Sequence, residues 1–105
     1  MSTTPEGFTG RIILVAEWEA KPDKVSELEK ALLTIKARAD SDAEPGCFTY
    51  RLNKFGHKFV LYEEYENQAA VQLHMSSDTF QALTKVFPDV AVGTPKILYY
   101  EECKL

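Results

Sequence analysis

A chain of 105 residues, 45% hydrophobic and 27% charged, has the size and composition of one globular domain. Its formal charge of −4 comes without any Lys/Arg run, which argues against a nucleic-acid partner. The start MSTTPEGFTG is not a signal peptide, and no apolar stretch nears the roughly 18 residues that cross a bilayer, so no membrane partner and a cytoplasmic location are expected.

Residues 1–10 hold Pro5, Gly7 and Gly10 and read as a flexible tail, leaving 11–105 as the folded unit. Order begins with RIILVAEWE, whose apolar run Ile12 to Ala16 suits a central strand covered on both faces. Pro22 and Asp23 open a helix, and Val25, Leu28, Leu32, Ile35 and Ala39 form its apolar stripe. Asp40 to Asp42 and Pro45-Gly46 end it, with Gly46 free to take the positive φ of a tight turn. The strand CFTYRLNKF follows, Phe48, Tyr50 and Leu52 facing one way and Cys47, Thr49 and Arg51 the other. The turn Phe55 to Lys58, with His57 solvated at its tip, makes a hairpin to the next strand.

That strand, FVLYEEYE, alternates cleanly. Phe59, Leu61, Glu63 and Tyr65 share one face, and Val60, Tyr62, Glu64 and Glu66 the other, so Glu63 and Glu64 are not a paired-carboxylate dyad. Asn67 caps a helix that turns Ala70, Val71 and His74 inward. The helix is interrupted at Ser76-Ser77-Asp78, resumes with Phe80, Leu83, Val86 and Phe87, and stops at Pro88. A loop around AVGT leads to the last strand, PKILYYEEC.

The order β-α-β-β-α-β is that of the split βαβ or ferredoxin-like α+β fold, a four-stranded antiparallel sheet with helices on one face. Its usual sheet order puts Cys47 and Cys103 on opposite edges, so the two read as free thiols, and no metal site is expected. The second face, assigned Ile13, Val15, Val60, Tyr62, Ile97 and Tyr99, is too apolar to stay wet. Several hundred Å² of burial at about 25 cal/mol per Å² outweighs a typical association cost, so a homodimer packing sheet to sheet is expected.

On the helix-covered face Glu63, Tyr65 and His74 come together. A histidine there is either a packed structural residue or a proton carrier, and a buried Glu63 requires a partner. Tyr50 and Tyr65 offer aromatic walls and hydroxyl donors, with Trp18 and Phe80 as further walls.

The segments AKPDKVSELEKAL, EPGCFTY, FVLYEEYENQAAVQLHMSSDTFQAL and PKILYYE resemble the antibiotic biosynthesis monooxygenase domain family over residues 11 to 102. The resemblance implies a dimeric α/β barrel with a pocket in each protomer between sheet and helices. It places the family's strand glutamate at Glu63 and its helix histidine at His74. Tyr65 stands where tryptophan is frequent, and Thr79 where a second histidine is. The haem-degrading branch's asparagine, tryptophan and haem-ligating histidine fall on Ala16, Tyr65 and Thr84, which argues against haem cleavage.

The chemistry so implied needs no cofactor. A quinol or polyketide-type hydroxyaromatic, deprotonated in a dry pocket, reduces dioxygen directly. Glu63 and His74 are then the catalytic base and anion stabiliser, and Tyr50, Tyr65, Trp18 and Phe80 hold the substrate. Two alternatives stay open: an isomerase or degrading enzyme for a small polar carbonyl compound, with Arg51 and Lys96 near any phosphate, and a non-catalytic metabolite-binding dimer.

Overall fold

The computed structural model describes residues 3–104; Met1, Ser2 and Leu105 lie outside the described residues. The elements run β1 (Ile12–Glu19), α1 (Val25–Ala39), β2 (Cys47–Phe55), β3 (Lys58–Tyr65), α2 (Gln68–Met75), α3 (Asp78–Val90) and β4 (Lys96–Glu101). The strands form one antiparallel sheet in the order β2-β3-β1-β4. This is the ferredoxin-like α+β architecture expected from the chain order. Cys47 and Cys103 sit on the two edge strands or beyond them and are both free.

Burial in β1 alternates: Ile12, Leu14, Ala16 and Trp18 are buried, while Ile13 and Val15 are only half-covered. The covered residues join Leu28, Leu32 and Ile35 of α1, Val71 of α2 and Leu83 of α3 in one core. Phe59, Leu61, Glu63 and Tyr65 of β3 lie on that same side, as the alternation requires. Among the described residues no helix is long and apolar enough to cross a membrane.

Two strand faces differ from expectation. In β4, Ile97 pairs with Ala16 and Tyr99 with Leu14, so both lie on the helix-covered side. Directly opposed residues of neighbouring strands point the same way, which gives the open side to Leu98 and Tyr100. In β2 the register slips between Cys47, opposite Tyr65, and Thr49, opposite Glu64. Phe48 is the extra residue of this bulge and leaves the Tyr50 and Leu52 face, its exposed ring lying beneath the Arg11 guanidinium at 4.6 Å.

Helix ends also shift. Pro22 and Asp23 lie in a turn before α1, which starts at Val25 after an N-cap Lys24 that makes no side-chain cap bond. Pro88 does not stop α3, which continues to Val90. A proline so near the C-terminus forfeits only the bond to the Thr84 carbonyl, and its fixed φ is helical. Asn67 and Ser77 cap α2 and α3, accepting from Ala70 N at 3.0 Å and Phe80 N at 3.1 Å.

The N-terminal segment expected as a loose tail is tied along β4. Thr3 N donates to the Ile97 carbonyl, Thr9 N and Gly10 N both donate to Glu101 Oε2, and Phe8 packs against the core.

Candidate functional site

Sheet register assembles the site from three neighbouring strands. Glu63 of β3 lies between Leu14 of β1 and Tyr50 of β2, so its carboxyl is flanked by one apolar and one aromatic side chain on the covered face. His74, on the inward side of α2, comes down onto them. The ring centroids of Tyr50, Tyr65 and Phe80 each stand 5.5 Å from the imidazole, boxing it on several sides.

The partner that fixes the histidine is Glu44, in the loop between α1 and β2. Glu44 is 2% exposed and accepts from both sides, from Arg38 Nε at 2.9 Å and from His74 Nδ1 at 2.7 Å. With the carboxylate anchored by the guanidinium, Nδ1 carries the imidazole proton. The Nε2 lone pair is left facing Glu63, whose Oε1 is 3.8 Å away. Burial holds the His74 pKa below its ordinary value even though Glu44 pulls it upward, so the ring is neutral at neutral pH.

Glu63 is buried too, and its charge is disfavoured. Loss of solvent, together with the negative charge of Glu44, lifts its pKa to about 8, although the Tyr65 hydroxyl donates to Oε1 at 2.5 Å and opposes the rise. At neutral pH it is therefore a carboxylic acid with a proton to donate. Burial likewise raises the pKa values of the Tyr50 and Tyr65 phenols, which remain protonated. Cys47 is no thiolate nucleophile, because burial and the nearby Glu44 and Glu63 push its pKa up to about 12.

Gly46 sets the loop carrying Glu44. Its φ is not positive, contrary to the turn role expected; instead a Cβ there would lie 2.7 Å from the Ala70 Cβ. Only glycine lets the loop approach α2 closely enough, and Glu66 N donating to the Gly46 carbonyl at 2.8 Å ties the same loop to the end of β3.

His74, Glu63 and Tyr50 line a cavity of about 230 Å³ whose other walls, Thr84 apart, are apolar. Trp18 and Phe80 also line it, with Thr84, Phe87 and Pro95 near its mouth. The Trp18 and Phe87 rings pack tilted at 39°, their centroids 3.6 Å apart. Of the expected wall residues Tyr65 alone stands back, behind Glu63, where its hydroxyl orients the carboxyl. Arg51, on the open side of β2, and Lys96, beside Glu17, do not line the cavity. Among the described residues no group of three or more His, Cys, Asp or Glu side chains is arranged to hold a metal ion. Sequence reasoning missed Arg38, Gly46's packing role and, above all, Glu44; its one signal was the EPGC motif, which begins at that residue.

The ferredoxin-like sheet thus carries a buried carboxylate-imidazole pair at a largely apolar cavity, an arrangement chemically able to exchange a proton with a small ligand. The model of the antibiotic biosynthesis monooxygenase family matches residues 11–86, and the chain belongs to that family. A Caulobacter crescentus structure named a "putative antibiotic biosynthesis monooxygenase" is 29% identical, covering 92% of this chain and 93% of its own, with a TM-score of 0.84. Structures from Mycobacterium tuberculosis and Pseudomonas aeruginosa share the fold at TM-scores of 0.82 and 0.81, with 21% and 23% identity. They cover 90% and 92% of this chain and 97% and 98% of their own. An uncharacterized Synechocystis protein is 25% identical over 99 residues, 91% of this chain, which spans 66% of that relative's length.

Proposed function

We propose that the chain is a cofactor-independent monooxygenase that oxidises a small quinol or polyketide-type hydroxyaromatic with dioxygen. One observation carries the reading: a neutral histidine, its Nδ1 proton fixed by Glu44, presents Nε2 beside a carboxylic acid in a largely apolar cavity. A substrate oxygen about 2.8 Å from each group closes a triangle on their 3.8 Å separation, taking a hydrogen bond from Glu63 while giving its proton to His74. Glu44 stabilises the imidazolium that forms, Arg38 holding that carboxylate in place although its own charge opposes the protonated ring, and the protonated Glu63 meets the oxyanion.

The electron-rich anion then supplies the reducing equivalents. For a quinol, one ring C–H becomes C–OH and the ring is oxidised to a hydroxyquinone; one oxygen atom enters the product and the other leaves as water, consuming four substrate electrons. Tyr50 and Phe80 hold the ring flat, and the apolar walls exclude competing water. In the same reading the open sheet face, with Val60, Tyr62 and Tyr100 exposed, packs against a second copy.

The carbonyl-compound alternative has less support, because Arg51 and Lys96 lie off the cavity. The non-catalytic alternative would suit a filled core better than this cavity. Oxygen uptake across a panel of quinols and anthrones, without added metal or flavin, tests the proposal. His74→Ala is expected to lower kcat by about 10²–10⁴-fold on the best substrate. Undiminished turnover in that variant, or no uptake with any of the panel, would sink the assignment.

A further inference from the structure

The cavity is small. At about 230 Å³ it falls below the roughly 300–1,000 Å³ that enclose a drug-sized ligand, so a substituted ring must project part of itself outward. The way out is marked by Thr84, Phe87 and Pro95, which line both the cavity and a shallower groove beyond it. That groove runs between the end of α3 and the segment of Val92 and Gly93, and its walls are nearly all apolar or backbone. Among its described lining residues the one charged side chain is Lys21, and no carboxylate lines it.

Lys21 is firmly rooted. Its backbone N–H donates to the Val90 carbonyl at 2.9 Å, next to the bridge that joins Ala20 to Ala91. Its ammonium donates to the Pro88 carbonyl at 3.0 Å. That bond has a purely structural account, since a cation favours the negative end of a helix. It uses one of three ammonium hydrogens, however, and leaves the others for the groove. Gly93, at φ +64°, has nothing within 4 Å of where a Cβ would stand, so the groove is open at that point of its wall.

We infer that the groove is a subsite for a carboxylate carried on the outward end of the substrate ring, with Lys21 as its counter-ion. The inference rests on the proposal that the cavity holds an aromatic ring. A monoanion fits better than a phosphate monoester: one ammonium faces the groove, and the neighbouring helix end presents carbonyls, which repel anions. Any anion held there therefore depends on Lys21. The substrate is then neutral and hydroxylated at the His74 end and anionic at the mouth.

Trp18, the only tryptophan in the chain, lines the cavity and reports occupancy by its fluorescence without turnover. Naphthohydroquinone and its ring-carboxylated congener, titrated anaerobically, are expected to quench it, the carboxylate binding about three- to fivefold more tightly at low salt. Added salt should erode that preference. Lys21→Met is expected to cancel it by weakening the carboxylate alone, Lys21→Glu to invert it, and Lys21→Arg to keep it. A melting curve for each variant shows whether the α3 terminus has been disturbed. If both compounds bind and their affinity ratio is the same in the native protein and in Lys21→Met, the carboxylate subsite is wrong while the aromatic cavity stands. If neither quenches Trp18, the cavity reading and the subsite fall together.

Discussion

The two faces of the sheet are built from the same strands, yet consecutive residues live under different physics. Glu63 and Glu64 are chain neighbours. Glu64, on the open side, pairs with Arg11 at 2.6 Å and accepts from the Thr49 hydroxyl, both within reach of solvent. Glu63, on the covered side, has Tyr65 and His74 for company and is kept protonated by its burial. A single step of strand alternation thus separates a surface ion pair of little energetic consequence from a neutral acid beside a base. The lesson is that burial under the helices leaves a neutral acid beside an imidazole, while the open face leaves the same residue type in an ordinary surface ion pair.

The sharpest way to break that contrast is to remove the carboxylate behind the histidine. Glu44→Ala leaves Arg38 and His74 without their shared partner in a buried setting, and a loss of about 3–5 kcal/mol is expected in urea unfolding. Glu64→Ala on the other face should cost under about 1 kcal/mol in the same measurement. Equal losses would show that the two faces do not differ as described.

Gly46→Ala is next in size. Its methyl would have to share space with the Ala70 side chain, so overpacking of about 1–3 kcal/mol is expected. If the Gly46 contact holds Glu44 against His74, an NMR titration of the imidazole should change as well, whereas a packing defect alone would leave it unmoved.

Stability against pH gives a third test. Glu63 has a folded pKa of about 8, above its ordinary 4.5, so between these values the folded state binds more protons than the unfolded one. Its contribution is present at low pH and lost as pH rises toward 8, with a slope of at most about 1.4 kcal/mol per pH unit. His74 acts in the opposite sense below its ordinary 6.5: the unfolded chain takes the proton first, and stability falls with falling pH. Glu63→Gln should flatten the loss on the alkaline side and leave the acid side in place, as read by thermal melts across the range.

The smallest effect on the protomer itself is expected on the open face. Val60→Lys replaces an exposed apolar residue and should alter protomer stability by no more than about 0.5 kcal/mol. Sedimentation would nonetheless shift from dimer to monomer mass if this face pairs with a second copy. A native protein that already sediments as a monomer at micromolar concentration would count against that pairing.

The sequence alone determined the element order, the cap at Asn67, the helix break and restart at Ser76-Ser77-Asp78, and the inward set Glu63, Tyr65 and His74. Those signals are local: unbroken alternation in β3, a polar cap followed by apolar spacing, and a stripe along α1 that periodicity exposes directly. β4 was read onto the wrong sides because KILYYE carries bulky apolar or aromatic residues in both alternating sets, so only its pairing with β1 shows that Ile97 and Tyr99 go inward. β2 misled at Phe48 because a bulge reverses the alternation without a mark in composition.

Glu44 was hidden for a deeper reason. In DSDAEPG it is one acidic residue among others in a polar loop, indistinguishable in sequence from a solvated carboxylate. Its burial follows from two contacts made across distant parts of the chain, Gly46 against Ala70 and Glu44 between Arg38 and His74. Whether a side chain faces water or another charge is a property of packed neighbours, and those neighbours exist only once the helices have settled on the sheet.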